Sequence, residues 1–212
     1  MAARPVNTKL RTERRHKIML AAAEVFRAKG FHGASMEDLC SAAGMSPGSL
    51  YHYFSGKDAI IKALVEAELE HYVSVVEKLM GSPEALQRLL SGDADTLEQA
   101  MTPHEYQVGS ECWLEMMRNP ALGEVALKGD AKLRKTVAKA IKNAQKQRLL
   151  DAGLRPQTTA NVLVALFSGI AFDAETIPGY DAEGSLQMAA VLLKRFLSPS
   201  SPARPQTSPP EK

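Results

Sequence analysis

The apolar positions of this chain recur in helical steps almost from end to end. Over residues 12–29, Ile18, Ala21, Ala22, Val25 and Phe26 return every three or four residues, the spacing of one helix face. Arg14, Arg15, Lys17 and Arg27 fall on its other faces. Gly30 stops this helix, and Phe31 is placed to fold back on its last turn. Two short helices follow. The first, residues 36–43, is capped by Ser35, with Asp38 three residues on completing a capping box. Gly44 then supplies the left-handed turn that glycine adopts without a Cβ penalty, and Met45 plugs the angle. The second, residues 47–54, is capped by Ser46 and opens with Pro47, whose missing N–H costs nothing in a first turn. Ile18, Val25, Phe26, Leu39, Ala43 and Leu50 make a small core for three helices. A cap over residues 55–58 opens a long helix, 57–80, with Ile60, Ile61, Leu64, Val65, Leu69, Tyr72, Val73 and Val76. That stripe is wider than the three-helix unit needs, so it should touch a second domain as well.

Gly81 and Pro83 break the long helix, and residues 84–90 form a short one. After a break at 91–93, residues 94–101 are weakly helical. Pro103 opens a helix through about Arg118 that carries Trp113, Met116 and Met117. Residues 121–150 are the most amphipathic stretch. Leu127, Val137, Ala140, Ile141 and Ala144 lie on one side, and Lys128, Lys132, Lys135, Lys139, Lys142 and Lys146 form a stripe on another. A solvated face is the plain reading of that stripe; an anion, headgroup or phosphate role is the alternative. Gly153 and Pro156 turn the chain into a near-continuous apolar helix, 158–175, and residues 186–197 form a final apolar helix. Helices apolar on most sides must be buried by a core or a partner, and a symmetric dimer is the economical solution. From Ser198 onward a Ser/Pro-rich tail cannot build a core. No stretch reads as a strand, so the fold expected is all-α.

Composition changes this picture little. With 212 residues, 45% hydrophobic and 24% charged, one or two globular domains are expected. There is no run of about 18 apolar residues and no secretory h-region, so no membrane association and a cytoplasmic location are expected. Cys40 and Cys112 lie far apart, with no Cys or His at metal-ligand spacing, so neither a disulfide framework nor a metal site is expected, and no cofactor. Charge does change it. Residues 1–57 hold nine Lys/Arg against four acids, and the remainder is mildly acidic. A basic N-terminal segment, with an arm over residues 1–11, fits a small nucleic-acid-binding unit on a different body.

Two helices around a short glycine-containing turn form a helix-turn-helix, whose second helix enters the DNA major groove. Leu50 and Phe54, four apart, face the core, leaving Ser46, Ser49, Tyr51, His52 and Tyr53 for the groove. Gly48 lets backbone approach DNA. Tyrosine hydroxyls bond phosphates and their rings meet thymine methyls, while His52 can reach base edges. Lys57 and the backbone amides after Ser35 are placed for phosphates. Two tyrosines and a histidine on so short a helix exceed what its core can bury.

These residues resemble a known family. Ala22-Ala-Glu-Val-Phe26, Lys29-Gly-Phe-His-Gly-Ala-Ser35, Ala42-Ala-Gly-Met-Ser46, Gly48-Ser-Leu-Tyr-His-Tyr-Phe54 and Lys57-Asp58 are similar, in register, to the N-terminal domain of TetR/AcrR-type transcriptional repressors. The resemblance implies an all-helical homodimer reading a palindromic double-stranded DNA operator and released by a small-molecule inducer. It places DNA contacts on Ser35, Ser46, Gly48, Ser49, Tyr51, His52, Tyr53 and Lys57. His52 stands where several relatives carry another aromatic residue, so base preference there does not transfer. The domains implied are 1–57 for DNA, 58–197 for ligand and dimerisation, and a tail over 198–212.

The body carries no diagnostic motif. Its candidate pocket residues are Met101, His104, Tyr106, Cys112, Trp113, Met116, Met117, Phe167 and Phe172, with Asp173, Glu111, Glu115 and Glu175 as polar anchors. A Trp/Met stripe at helical spacing also fits plain core, although methionine suits an adaptable pocket. No nucleophile–base pair or phosphate loop supports an enzyme. A helical ligand carrier or enzyme, or a DNA-binding activator or architectural protein without an inducer, are the competing readings.

Overall fold

In a computed structural model of the chain, which describes residues 8–102 and 104–199, every regular element is an α-helix. Helix α1 (Thr8–Gly33) is interrupted at Gly30, whose φ of 69° breaks the run and sends Phe31 back into the core. Its start corrects the expected arm. Residues 8–11 are already helical, because nothing between Thr8 and Thr12 breaks the turn and the Thr12 hydroxyl donates to the Thr8 carbonyl at 3.0 Å. Residues 1–7 of that arm and residues 200–212 of the tail lie outside the described residues.

Helices α2 (Met36–Ala43) and α3 (Pro47–Tyr51) follow. The second is shorter than the 47–54 expected. After Tyr51 the chain tightens, with Tyr53 N–H donating to the Leu50 carbonyl at 2.9 Å, so that Phe54 drops into the core. Helix α4 (Lys57–Met80) is the axis of the molecule, and α5 (Pro83–Ser91) and α6 (Ala94–Met101) turn back along it. Where a helix from Pro103 onward was expected, residues 104–109 form an irregular segment leading to α7 (Ser110–Arg118), and Pro103 itself lies outside the described residues. Gly109, at φ 84°, delays its start. Helix α8 (Pro120–Lys146) packs along α4 more extensively than any other pair. Gly129 makes this possible, since a Cβ there would come within 2.1 Å of the Leu69 side chain. Helices α9 (Pro156–Thr176) and α10 (Ala182–Leu197) close the body.

The largest core does not stop at the head. Ile18, Phe26, Leu39, Leu50, Ile60, Ile61 and Leu64 are essentially fully buried and continuous with Met116, Leu122 and Ala126 of α7 and α8. A second core joins α8, α9 and α10 around Ile141, Leu163 and Leu193. Helix α9 is less buried than its apolar sequence implies. Val162 and Phe172 on it, Ile177 just after it, and Met188, Val191, Leu192 and Phe196 on α10, stand about half exposed. No described helix is long and apolar enough to cross a membrane.

Candidate nucleic-acid interface and its control

The turn that presents α3 is built from local hydrogen bonds. Ser35 Oγ accepts from Asp38 N–H at 3.1 Å while Asp38 Oδ2 accepts from Ser35 N–H at 2.9 Å. Lys29 adds an ion pair to Asp38 at 2.6 Å. The Lys29 hydrogen bond, then those of Ser35, hold the Asp38 carboxyl well below the usual carboxylate range. At the other end Gly44, at φ 62° and ψ 42°, closes α2: its own N–H reaches Ser41, and Met45 N–H reaches Cys40 at 3.0 Å. Ser46 then accepts from Ser49 N–H and also bonds the Ser49 hydroxyl at 3.0 Å.

Leu50 and Phe54 anchor α3 from below, and Arg15 stacks over the Phe54 ring at 4.2 Å. Ser35, Ser46, Gly48, Ser49, Tyr51 and His52 of the expected contact set are all exposed. Two members differ. Tyr53 is half-buried against the core, and Arg15 donates to its carbonyl at 3.0 Å. The Lys57 ammonium donates to the Phe31 and Ala34 carbonyls at 2.6 and 2.9 Å and lies 4.6 Å over the Phe31 ring. Its first task is to close the α1–α2 corner.

The head is fastened to the body through α7 and the segment before it. Glu115 Oε2 accepts from Phe31 and His32 N–H at 2.9 and 3.3 Å, taking up amides freed by the break at Gly30. Arg27 donates to the Gln107 carbonyl at 2.6 Å. His16 bonds the Tyr106 hydroxyl and lies 3.5 Å from Glu105. Tyr106 stacks edge-on to His104, which stacks in turn on His71, both at 4.8 Å. Burial, reinforced by His71, pushes the His104 imidazole down.

Among the described residues, the expected ligand residues are spread over several parts of the fold. His104 and Tyr106 belong to this head–body junction. Met116 is fully buried in the head's core, Phe167 packs between the α8–α10 clusters, and Met117 and Phe172 are exposed. Asp173 is half-buried and its carbonyl terminates α9. The side chains of Met101, Glu111 and Cys112 lie outside the described residues. Two open grooves, of about 730 Å³ between α5 and α10 and about 490 Å³ between α4, α5 and α8, are lined by none of the expected residues. Spacing along one helix does not say which neighbour each face meets, and here α7 divides its residues between α8, α1, Glu68 of α4 and solvent.

Residues 18–64 match the family of bacterial regulatory proteins called tetR, and residues 84–198 match the C-terminal part of BetI-type transcriptional repressors. The chain belongs to the TetR family. It is a transcriptional regulator built on the helix-turn-helix described above. The HTH-type transcriptional regulator UidR of Escherichia coli K12 is 27% identical over 161 residues, covering 76% of this chain and 81% of UidR. The crystal structure of reduced NemR from E. coli superimposes with a TM-score of 0.69 at 19% identity, over 91% of this chain and all of that one. A TetR-family regulator structure from Rhodococcus sp. gives 0.63 at 26% identity, over 86% and 99%. These relatives are regulators of transcription rather than enzymes.

Within this TetR-family body one feature was missed by reading the chain alone. Glu68 is 97% buried in the middle of α4, and its Oε2 has no hydrogen-bond partner. Its Oε1 accepts from the Tyr72 hydroxyl at 3.4 Å. Burial pushes its carboxyl up to about 7, against the pull of hydrogen bonds from Trp113 and Tyr72 and with added repulsion from Glu175. Burial and Glu68 together push the Tyr72 phenol up as well. Glu175, on α9, serves as the N-cap that Gly109 cannot be, accepting from Ser110 N–H at 2.9 Å and from its hydroxyl at 2.8 Å. The signal for Glu68 was present: it is an acid within the apolar stripe Leu64, Val65, Leu69, Val73.

Proposed function

We propose that this regulator is a ligand-responsive repressor that binds a palindromic operator as a homodimer in the cytoplasm and leaves it when a small-molecule inducer binds the body. Residues 1–57 act as the reading head and residues 58–197 as the regulatory and dimerising body. Ser35, Ser46, Gly48, Ser49, Tyr51 and His52 meet DNA directly; Tyr53 supports them, and Lys57 contributes a contact to a phosphate. The observation that carries the reading is the presentation of α3. It is pinned from beneath by Leu50 and Phe54 and capped at both sides of the turn, while its outer face is left polar, aromatic and exposed.

The half-exposed apolar residues of α9 and α10 support a two-fold partner there, because a soluble chain gains by covering them. In such a dimer the two α3 helices must stand about 34 Å apart, or a multiple of it, to enter successive major grooves. The contacts of α7 with α1 give a body-bound ligand a route to that spacing. An inducer works by favouring the dimer geometry that does not fit DNA. No catalytic role is proposed. Gel shift with fragments of the source genome tests the reading, and a sequence-specific, salt-sensitive complex is expected. Its absence sinks the proposal.

A further inference from the structure

We propose that the turn over residues 104–107 is a proton-operated latch between the reading head and the body, closed while the His104 ring accepts the Tyr106 amide and opened when acid protonates that ring. Its effect on DNA rests on the reading of the chain as a regulator; the latch itself does not.

Three of the chain's five histidines are joined through this turn. His16 belongs to α1, His71 to α4 and His104 to the segment before α7. The His104 Nδ1 accepts from Tyr106 N–H at 3.3 Å, and the His104 carbonyl accepts from Gln107 N–H at 2.9 Å. The turn so closed offers α1 two holds. The Tyr106 hydroxyl bonds His16, and the Gln107 carbonyl takes the Arg27 guanidinium at 2.6 Å. On the other flank His71 stacks on His104 at 4.8 Å and reaches the Thr102 carbonyl, at the end of α6, at 3.4 Å. Val108 follows, fully buried in the head's core.

One lone pair decides the state of this turn. A neutral imidazole keeps one nitrogen as an acceptor, whereas both nitrogens of an imidazolium donate. Protonation at Nδ1 therefore sets a donor against the Tyr106 N–H, and that bond is lost. The same proton places a charge in a half-buried stack of rings. His104 meets His71 of α4, with Tyr72 edge-on behind it, and the Tyr106 ring of its own segment. From α1, His16 and Arg27 reach the same turn. The acid that acts on His104 is Glu105, half in solvent and 3.5 Å from His16. Burial first, and His71 second, outweigh that acid and hold the ring neutral where a free histidine begins to charge. Burial and then Glu105 push the Tyr106 phenol up to about 12, so its hydroxyl does not titrate in this range. The latch is closed at neutral pH and opens as pH falls below the ordinary 6.5 of histidine.

Opening has a route to the reading helix. It removes two holds on α1, at His16 and Arg27, and leaves the grip of Glu115 on the end of that helix. Arg15, next to His16, donates to the Tyr53 carbonyl and stacks over the Phe54 ring that anchors α3. A shift of α1 released by acid is therefore felt beneath the DNA-reading face, and the two heads of a dimer lose their fixed spacing.

The test compares the full-length protein with His104→Asn. The asparagine oxygen stands where Nδ1 does and accepts the Tyr106 amide without titrating. Every other histidine, His52 of the reading face included, is common to both proteins, so the difference between their pH profiles isolates His104. Nuclear magnetic resonance follows the His104 ring and the Tyr106 and Gln107 amides from about pH 8 to about pH 5, the range in which histidines titrate. In the wild type the two amides should move with the His104 titration, and in His104→Asn they should stay in place. Gel shift with a genomic fragment bound specifically at neutral pH gives the second reading. Wild-type affinity should fall at least about fivefold more than that of His104→Asn between about pH 7.5 and about pH 5.5. Amides that ignore the His104 titration overturn the latch, and this wild-type measurement stands even if the variant folds poorly. A specific DNA complex with the same pH profile in both proteins removes the latch and leaves the regulator. Amides that follow His104, with no specific DNA complex at any pH, keep the latch and remove the regulator.

Discussion

Replacing Glu68 by glutamine should stabilise the protein at neutral and alkaline pH and leave it nearly unchanged in acid. Burial raises the Glu68 carboxyl from its ordinary 4.5 to about 7, so the folded chain holds this proton more tightly than the unfolded chain does. The linkage then has a fixed sign. Below 4.5 both states are protonated and the group contributes no penalty. Between 4.5 and about 7 the unfolded chain releases the proton while the folded chain keeps it, and stability falls as pH rises. Above about 7 the folded chain bears a buried carboxylate and the whole penalty is present. At roughly 1.36 kcal/mol per pH unit, that penalty is about 3 kcal/mol. Glutamine keeps the shape and an acceptor for Tyr72 but cannot ionise. Its amide nitrogen is as poorly satisfied as the protonated acid's hydroxyl, so the two proteins should match in acid. For a chain of this length about 3 kcal/mol corresponds to a rise in Tm of roughly 6–12 °C near pH 8. Thermal unfolding followed by circular dichroism at several pH values checks this, at a fixed protomer concentration because association shifts Tm. The groups around Glu68, namely Tyr72, Trp113 and Glu175, are common to both proteins, and their contributions largely cancel. A Tm difference that does not grow with pH, or a loss of stability above pH 7, would refute the assignment of a buried, unpaired acid.

The remaining predictions concern the head, its tether and the partner face. Gly44→Ala should cost about 1–2 kcal/mol in denaturant unfolding, purely from the left-handed backbone, since the nearest atom to a new Cβ is the flexible Lys17 ammonium at 3.8 Å. Tyr51→Ala and His52→Ala should each weaken specific DNA binding roughly tenfold to a hundredfold, about 1–3 kcal/mol, with stability unchanged within about 0.5 kcal/mol, as gel shift and melting will show. Glu115→Ala removes the acceptor for two backbone amides and should cost about 1–3 kcal/mol. Faster hydrogen exchange at Phe31 and His32 is its local signature, and unchanged exchange there would contradict the tether. Leu192→Glu, on the exposed apolar face of α10, should yield a monomer in sedimentation; a persistent dimer would move the interface elsewhere.

The head was legible because its structure is set by near neighbours in sequence. The Ser35–Asp38 box, the Gly44 turn and the Ser46–Pro47 start are each satisfied within three or four residues, and all three form as the residue types require. Boundaries failed where a distant group decided them. Helix α7 begins at Ser110 rather than after Pro103 because its cap is Glu175, sixty-five residues away, a contact no local pattern announces. The position of Lys57 suggests a phosphate contact, and nothing local shows that it also caps the Phe31 and Ala34 carbonyls, at and just past the far end of α1. The surroundings of the body's candidate pocket residues were hidden for a related reason. Met116 and Trp113 share a short helix, yet one is fully buried in the head's core while the other packs at its edge and turns to Glu68. An apolar stripe shows that a face is covered without saying by what.

That division of α7 also accounts for how a signal in the body can be felt at DNA. Trp113 and Glu115 are two residues apart, which in an α-helix is about 3 Å along the axis but about 200° around it. The two side chains therefore leave opposite faces, one toward α4 and the buried acid, the other toward the broken end of α1. Nine residues give α7 too few turns to bend smoothly, and its first turn is clamped to α9 by Glu175. A push on Trp113 can then be taken up only by rolling or sliding the whole helix, and either motion carries the Glu115 carboxylate across the Phe31 and His32 amides. Those amides belong to the turn that Gly30 opens and that Lys57 holds shut against α2. The same corner, residues 30–34, thus receives the body's restraint on one side and sets the position of the reading helices on the other. A shift too small to disturb the head's own core can still move α2 and α3 as a unit, because that core keeps them rigid while the corner gives.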